Sequence, residues 1–137
     1  MENTIMTKDR LIGFRFSYWF DEPQRGDIIL FSYPVDEKQT YIKRVIGLPG
    51  ETIQIIDGMI YINGSVYLET QGFPQMENAG MAAQEITLGE DEYFVLGDNR
   101  NQSEDSRFAD MGNVKLEDIE GKVWAVLSPS DHRGLVK

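Results

Sequence analysis

Short apolar runs separated by turn residues make up most of this chain. Runs of Val, Ile, Tyr and Phe end at Gly, Pro, Asn or Asp at intervals typical of strands and turns, and helical periodicity is nearly missing. Asp57-Gly58 and Asn63-Gly64 predict two tight turns between very short strands. The predicted strands are 26–33, 40–46, 52–56, 59–62, 65–69, 93–96 and 121–127. We therefore predict a mostly β, antiparallel fold.

The strand pattern also suggests how the chain is organised. Residues 1–51 and 92–137 are predicted to form one β core, and residues 52–91 a small inserted β-ribbon subdomain. Between 70 and 81 the composition shifts to Gly, Gln, Asn, Met and Pro without periodicity. We expect this stretch to be an exposed, mobile loop at the tip of the insert.

Composition narrows the function classes. The 137 residues fit one domain, and 41% apolar residues suffice for a core. With 23 acidic and 13 basic residues the net charge is −10 and no basic stripe occurs, so nucleic acid is not an expected partner. The absence of Cys excludes disulfides, thiol nucleophiles and cysteine metal sites. No apolar run approaches the roughly 20 residues that span a bilayer, so this chain alone is expected to be soluble.

Three segments carry polar groups that a bare β scaffold does not require. Lys43 lies in the middle of an apolar strand, where burial would favour the neutral amine and make it usable as a general base. The alternative is an edge-strand lysine with its head in water. The loop 97–107 is dense in carboxylates, guanidinium groups and hydroxyls, and is either a rigid platform for one hydroxyl or a solvated loop. Arg25-Gly26-Asp27, the third segment, is by itself an ordinary turn.

Taken in order, the segments 25–29, 41–51 and 97–107 resemble the signature boxes of type I signal peptidases, which are serine/lysine proteases. The start of the chain, 1–6, resembles the segment that follows the nucleophilic serine in that family, and the resemblance continues through 121–123. It implies a membrane-attached serine endopeptidase with its catalytic domain on the extracytoplasmic side of the cell membrane. The implied partner is the signal-peptide region of exported preproteins, cleaved at Ala-x-Ala-like sites without metal or cofactor.

The resemblance also assigns roles to residues. Lys43 would be the general base, and Ser103 would orient its amine. Met1, Tyr41 and Ile42 are the candidate substrate-lining residues, with core packing as the alternative for Ile42. His132 lies outside every box, and no role is expected for it. The residues expected to brace the site are Arg44, Asp98, Asp105 and Arg107.

The resemblance also has two implications for the first 20 residues and for the position before Met1. The aromatic stretch with Phe14, Phe16, Tyr18, Trp19 and Phe20 would contact the bilayer, or alternate members would be core. No serine precedes Met1, so this chain alone is expected to be inactive. Either the nucleophile, oxyanion hole and anchor lie upstream of it, which we favour because 1–6 continues a nucleophile motif, or the protein is a homologue without the serine.

Two rival functions remain. A noncatalytic peptide-binding or assembly module with the same fold would have no chemical need for the Lys43 and Ser103 pair. A self-cleaving repressor would share the serine/lysine chemistry, but the 97–107 box and the lack of a DNA-binding helix argue against it.

Overall fold

The fold is built from antiparallel β-strands, as the apolar pattern predicts. The computed structural model describes residues 10–14, 22–33, 36, 38–69, 72–73, 75–128 and 134–135. The strands are β1 (Arg10–Phe14), β2 (Ile28–Ser32), β3 (Thr40–Gly47), β4 (Thr52–Ile56), β5 (Met59–Ile62), β6 (Ser65–Tyr67), β7 (Ile86–Thr87), β8 (Glu92–Leu96), β9 (Val114–Lys115), β10 (Ile119–Ser128) and β11 (Gly134–Leu135). Three short 3-10 helices span Gly80–Ala83, Arg100–Gln102 and Leu116–Asp118. The predicted mostly β, antiparallel fold is confirmed.

Two sheets form from these strands. The larger has seven strands in the order β1-β10-β2-β3-β8-β9, with β11 paired to β10. The smaller has four strands in the order β6-β5-β4-β7, all contributed by residues 52–87. Every pairing is antiparallel. In the larger sheet β3 is central, with β2 on one side and β8 on the other.

Two tight turns shape the smaller sheet. Asp57 and Asn63 both adopt φ +52°, and the glycines that follow them, Gly58 and Gly64, adopt +76° and +83°. Two successive residues with positive φ match the right-handed twist of a two-stranded ribbon. Asp or Asn followed by Gly is the residue pair that tolerates this geometry best. The three short strands around these turns are therefore specified locally.

Side-chain alternation divides the core into two apolar clusters. Val45 packs in one cluster and the next residue, Ile46, in the other, as expected for a strand buried on both faces. Ile46 shares its cluster with Ile53 and Ile55 of β4, so the four-stranded sheet packs on the larger one. The cluster with Val45 lies on the opposite face and includes Phe31 of β2. The face with Val45 is the one that carries Lys43.

The expectation of an exposed loop over 70–81 is wrong for part of that stretch. Met76 is buried, and Gly80 begins a 3-10 helix whose Ala82 is also buried. A polar, Gly-rich composition does not reveal which of its few apolar side chains packs against the core. Residues 70, 71 and 74 lie outside the described residues. Within the part of the chain that is described, no helix is long and apolar enough to cross a membrane.

Candidate active site

Lys43 lies inside the larger sheet. It is 8% exposed and sits opposite Ile29 of β2, between Tyr41 and Val45 on the same face of β3. Because Lys43 is buried, the alternative of a lysine with its head in water is wrong. The apolar neighbours place the amine where water is scarce.

Within the described part of the chain, the amine of Lys43 has one hydrogen-bond partner. Its Nζ donates a hydrogen bond to Oγ of Ser103 at 3.1 Å, across 60 residues of sequence. Burial lowers the pKa of Lys43, and the nearby carboxylates of Asp105 and Glu104 oppose that shift without reversing it. The neutral amine is therefore better populated than in a free lysine. A neutral amine that donates one N–H to Ser103 keeps its lone pair for another proton.

Ser103 belongs to a loop held by an internal ion pair. Arg107 donates from Nε to Oδ1 of Asp105 at 2.8 Å and from Nη2 to Oδ2 at 2.9 Å, with both residues almost completely buried. The backbone N–H of Gly97, at the end of β8, donates to the same Oδ2 at 3.1 Å. Charge-assisted, two-point contacts of this kind fix orientation as well as distance. Asp105 thus anchors the loop two residues after Ser103.

The same loop is also hydrogen-bonded along β8. Ser106 accepts from the backbone N–H of Val95 through its Oγ at 2.9 Å and returns a bond from its own N–H to the Val95 carbonyl at 3.1 Å. This two-way contact gives Ser106 a positional role. Arg107 donates a further bond from Nη2 to the backbone carbonyl of Arg100 at 2.6 Å. Ser103 therefore lies between two fixed points of the chain.

Arg44 continues this support on the opposite face of β3. Its Nε and Nη2 donate to the two carboxylate oxygens of Asp98 at 2.9 and 2.8 Å, and its Nη1 donates to the Gly26 carbonyl at 3.0 Å. Arg44 is 2% exposed and Asp98 is completely buried. Removing one charge would leave the other buried without its partner, which is costly. The pair fixes the start of the Ser103 loop to the strand of Lys43.

The segment 25–29 begins with a turn that an ion pair stabilises. Arg25 donates from Nη1 and Nη2 to the carboxylate of Glu51 at 2.7 and 2.9 Å, and Gly26 adopts φ +93°. Burial raises the pKa of Glu51, but the hydrogen bonds from Arg25 and from the Leu48 backbone N–H outweigh it, so the pKa is lowered overall. This turn ties β2 to the connection after β3 and contributes no group to Lys43.

Gly97 leaves no space beside the Lys43 and Ser103 contact. A Cβ at this position would overlap Oγ of Ser103 and lie 2.6 Å from its Cβ and 3.3 Å from Nζ of Lys43. Only a residue without a side chain permits the observed 3.1 Å approach.

Comparison with known proteins agrees with this geometry. The family model described as "Signal peptidase, peptidase S26" matches residues 1–128. The chain belongs to this signal peptidase family. A probable signal peptidase I-2 of Synechocystis sp. is 35% identical over 143 residues, covering 99% of this chain and 62% of the relative. A signal peptidase I of Leptolyngbya laminosa is 38% identical over 144 residues, covering 96% and 66%. The chain thus spans about two thirds or less of these relatives.

A solved structure supports the same membership. The crystal structure of a signal peptidase I from Enterococcus faecalis is 38% identical and matches with a TM-score of 0.58, covering 79% of this chain and 98% of that one. The mostly β architecture with antiparallel sheets is therefore that of a signal peptidase I. Among the described residues, no group of three or more His, Asp or Glu side chains is placed to hold a metal ion.

The substrate-lining candidates of this signal peptidase family member fall in different places. Tyr41 shares the face of Lys43, with its ring centroid 5.8 Å from Nζ, and stacks on Tyr33 at 4.6 Å between centroids. Ile42 lies on the opposite face of β3 by strand alternation and is partly exposed. Phe14 ends β1. Outside the described residues lie Met1, the candidate bilayer contacts Phe16, Tyr18, Trp19 and Phe20, and His132, for which no role is expected.

Three residues of the site were not found from the sequence. The sequence pattern indicates only that Gly97 belongs to a loop, that Glu69 ends a strand and that Phe73 lies in the 70–81 stretch. For Glu69 the sequence does contain a usable signal. No Lys or Arg occurs between Arg44 and Arg100, so a buried carboxylate in that stretch must pair with a cation elsewhere in the chain.

Proposed function

We propose that the protein containing this chain cleaves signal peptides from exported preproteins, with Lys43 as its general base. The observation that carries the proposal is the buried amine of Lys43 hydrogen-bonded to Ser103 at 3.1 Å. Family membership supports the reaction class, and two of the relatives are signal peptidases by name. Because the chain spans 62% and 66% of two such relatives, the activity is proposed for the longer protein.

The proposed chemistry is a serine/lysine mechanism. The nucleophile would be the serine that the family resemblance puts immediately before Met1. Its hydroxyl oxygen attacks the scissile carbonyl carbon while its proton passes to the neutral Lys43 amine. The resulting ammonium then protonates the leaving amine of the mature protein as the peptide bond breaks. Water, deprotonated by Lys43, hydrolyses the acyl-enzyme, which releases the signal peptide and restores the serine. Without that serine, the 137-residue chain is expected to leave a preprotein uncleaved.

Ser103 supports this chemistry through its hydroxyl oxygen. By accepting one N–H from Lys43, it directs the remaining lone pair of the amine. The ion pairs of Arg44 with Asp98 and of Arg107 with Asp105 keep the serine loop beside β3. A base held in one orientation is a more effective proton acceptor than a mobile one. We infer no direct contact between these braces and the substrate.

The proposed substrate is the extended peptide around an Ala-x-Ala-like site. Tyr41, beside Lys43, would line the subsite for a small side chain, and Ile42 and Met1 are proposed as further contacts. An extended peptide bound next to a strand suits this arrangement, because its backbone pairs while small side chains enter shallow pockets. The longer protein is proposed to act at the cell membrane, on its extracytoplasmic side.

A cleavage assay tests the proposal. The full-length protein is given a preprotein with an Ala-x-Ala site, and Lys43→Ala is compared with Lys38→Ala, which removes an exposed lysine. We expect cleavage to be abolished by the first change and unaffected by the second. Retained cleavage by Lys43→Ala would eliminate Lys43 as the base. Preprotein binding without cleavage by the wild-type protein would favour a noncatalytic peptide-binding module instead.

A further inference from the structure

A buried ion pair joins the inserted ribbon to the loop of Ser103. Glu69, which follows β6, accepts hydrogen bonds from Nη1 and Nη2 of Arg100, each at 2.7 Å. Arg100 is 1% exposed, and the Glu69 side chain is 10% exposed. A guanidinium and a carboxylate joined at two points fit in one relative orientation, so each fixes the other.

An aromatic ring strengthens this contact. Phe73, also from the insert, lies with its ring centroid 4.3 Å from Cζ of Arg100. The same ring is 5.4 Å from Cζ of Arg44, the residue next to Lys43 in β3. Both distances fall within the range of favourable cation–π contacts. The Phe73 ring therefore contacts one cation on β3, the strand that carries Lys43, and one cation on the loop that carries Ser103.

Further hydrogen bonds hold the same surfaces together. The Asn101 side chain accepts from the backbone N–H of Glu77 at 2.8 Å and donates to the carbonyl of Gln75 at 3.3 Å. Arg107 donates from Nη1 to the carbonyl of Asn78 at 3.0 Å. The insert thus contacts the loop both before and after Ser103. Two-sided support of this kind restricts where the intervening residue can lie.

Arg100 is close to Ser103 along the chain. It begins the 3-10 helix Arg100–Gln102, and Ser103 follows that helix directly. The position of the Arg100 side chain therefore sets the start of a rigid turn that ends at the serine. Among the residues that the structure describes, Glu69 is the only hydrogen-bond acceptor of the Arg100 guanidinium, and Nε of Arg100 has no partner there.

We propose that Glu69 is a positioning residue for signal-peptide cleavage, because its hold on Arg100 sets where Ser103 meets Lys43. This inference rests on the proposed roles of Lys43 and Ser103. The competing explanation is that Glu69 only neutralises a buried Arg100 and contributes to stability alone.

The pH dependence of cleavage by the full-length protein separates the two explanations. In Glu69→Gln, kcat at neutral pH is expected to fall by about 10- to 100-fold with KM nearly unchanged, the loss typical of a group displaced by roughly 1 Å. The acidic limb of the rate profile should move to higher pH, because a loosened Ser103 loop hydrates Lys43 and raises its pKa. Loss of the Glu69 charge acting only at a distance would lower the pKa of Lys43, so the sign is diagnostic.

Two further variants keep the test decisive. Asp57→Asn removes an exposed carboxylate from the same ribbon at a φ of +52°, which Asn tolerates, and should change neither kcat nor the pH profile. Glu69→Gln leaves Arg100 buried without its countercharge and can fail to fold. The double variant Glu69→Leu with Arg100→Met removes both charges, and should fold while showing the same fall in kcat and the same shift.

Opposite results overturn the inference without touching the proposed function. A folded Glu69→Gln or double variant with wild-type kcat and an unmoved acidic limb would show that Glu69 serves stability alone. The inference is likewise overturned if Asp57→Asn moves the acidic limb of the pH profile as Glu69→Gln does. Failure of the proposed function gives a different result, because the Lys43→Ala protein would then still cleave the preprotein, with either Glu or Gln at position 69.

Discussion

Gly97→Ala adds a single methyl group at the contact between Lys43 and Ser103. The new Cβ would lie 2.6 Å from Cβ of Ser103, whereas two carbons in contact prefer about 3.5–4.0 Å. Ser103 must therefore move by roughly 1 Å, which takes its hydroxyl beyond hydrogen-bond reach of an amine that is now 3.1 Å away. Because φ of Gly97 is not positive, the backbone itself accepts alanine and the effect is steric.

The size of the effect follows from that displacement. A reacting group misplaced by about 1 Å loses on the order of 100-fold in rate. Overpacking a buried site costs about 1–3 kcal/mol of stability. We expect kcat of the full-length Gly97→Ala protein to fall by about 100-fold in a preprotein cleavage assay, while urea denaturation shows a protein that is still folded.

A second glycine provides the matched control. A Cβ at Gly47 would meet Cδ1 of Ile53 at 2.7 Å and Cδ1 of Leu88 at 2.8 Å, inside the apolar cluster on the other face. Gly47→Ala should therefore lose similar stability and keep nearly wild-type kcat. The reasoning is refuted if folded Gly97→Ala cleaves at the wild-type rate, or if Gly47→Ala lowers kcat equally.

Three further changes have effects that can be worked out from the same contacts. Since burial lowers the pKa of Lys43 below its ordinary 10.5, the unfolded chain binds more protons between the two pKa values and the free energy of unfolding rises with pH across that window. Lys43→Met should abolish this rise and stabilise the chain at neutral pH by about 1.4 kcal/mol per unit of pKa depression, measured by urea denaturation at several pH values; an unchanged slope would contradict it. Asp98→Asn removes the two-point ion pair that Asp98 makes with buried Arg44 and should cost about 3–5 kcal/mol in the same assay, so a loss below 1 kcal/mol would show the pair to be unimportant. Ser103→Ala removes the 3.1 Å hydrogen bond and should lower kcat by about 10- to 100-fold at constant KM, whereas a rise in KM alone would assign Ser103 to substrate binding.

Local signals predicted the ribbon well. The strands 52–56 and 59–62 have the predicted bounds, because the Asp57-Gly58 and Asn63-Gly64 turns fix the register by themselves. The third strand, expected over 65–69, ends at Tyr67. Glu69 leaves the strand to reach Arg100, a partner 31 residues away that no local pattern indicates.

The candidate site depended on information of a different kind. Lys43 stands out locally as a lysine in an apolar strand, but only the family resemblance pairs it with Ser103, since neither strand periodicity nor composition can bring together residues 60 positions apart. Their chemical roles stay predictions. Gly97 and Phe73 escaped notice because their importance lies in close approach and ring stacking, which depend on the assembled sheets.

Burial lowers the pKa of Lys43, so its amine loses its proton more readily than that of an ordinary lysine. NMR titration of the lysine ε-CH2 groups tests this directly on the 137-residue chain, with exposed Lys38 as the internal reference and Lys43→Met to assign the signal. The Lys43 resonance should titrate below the ordinary lysine pKa of 10.5, and Ser103→Ala should disturb this resonance alone. A Lys43 resonance that titrates at or above the ordinary lysine pKa of 10.5 would show that burial does not favour the neutral amine.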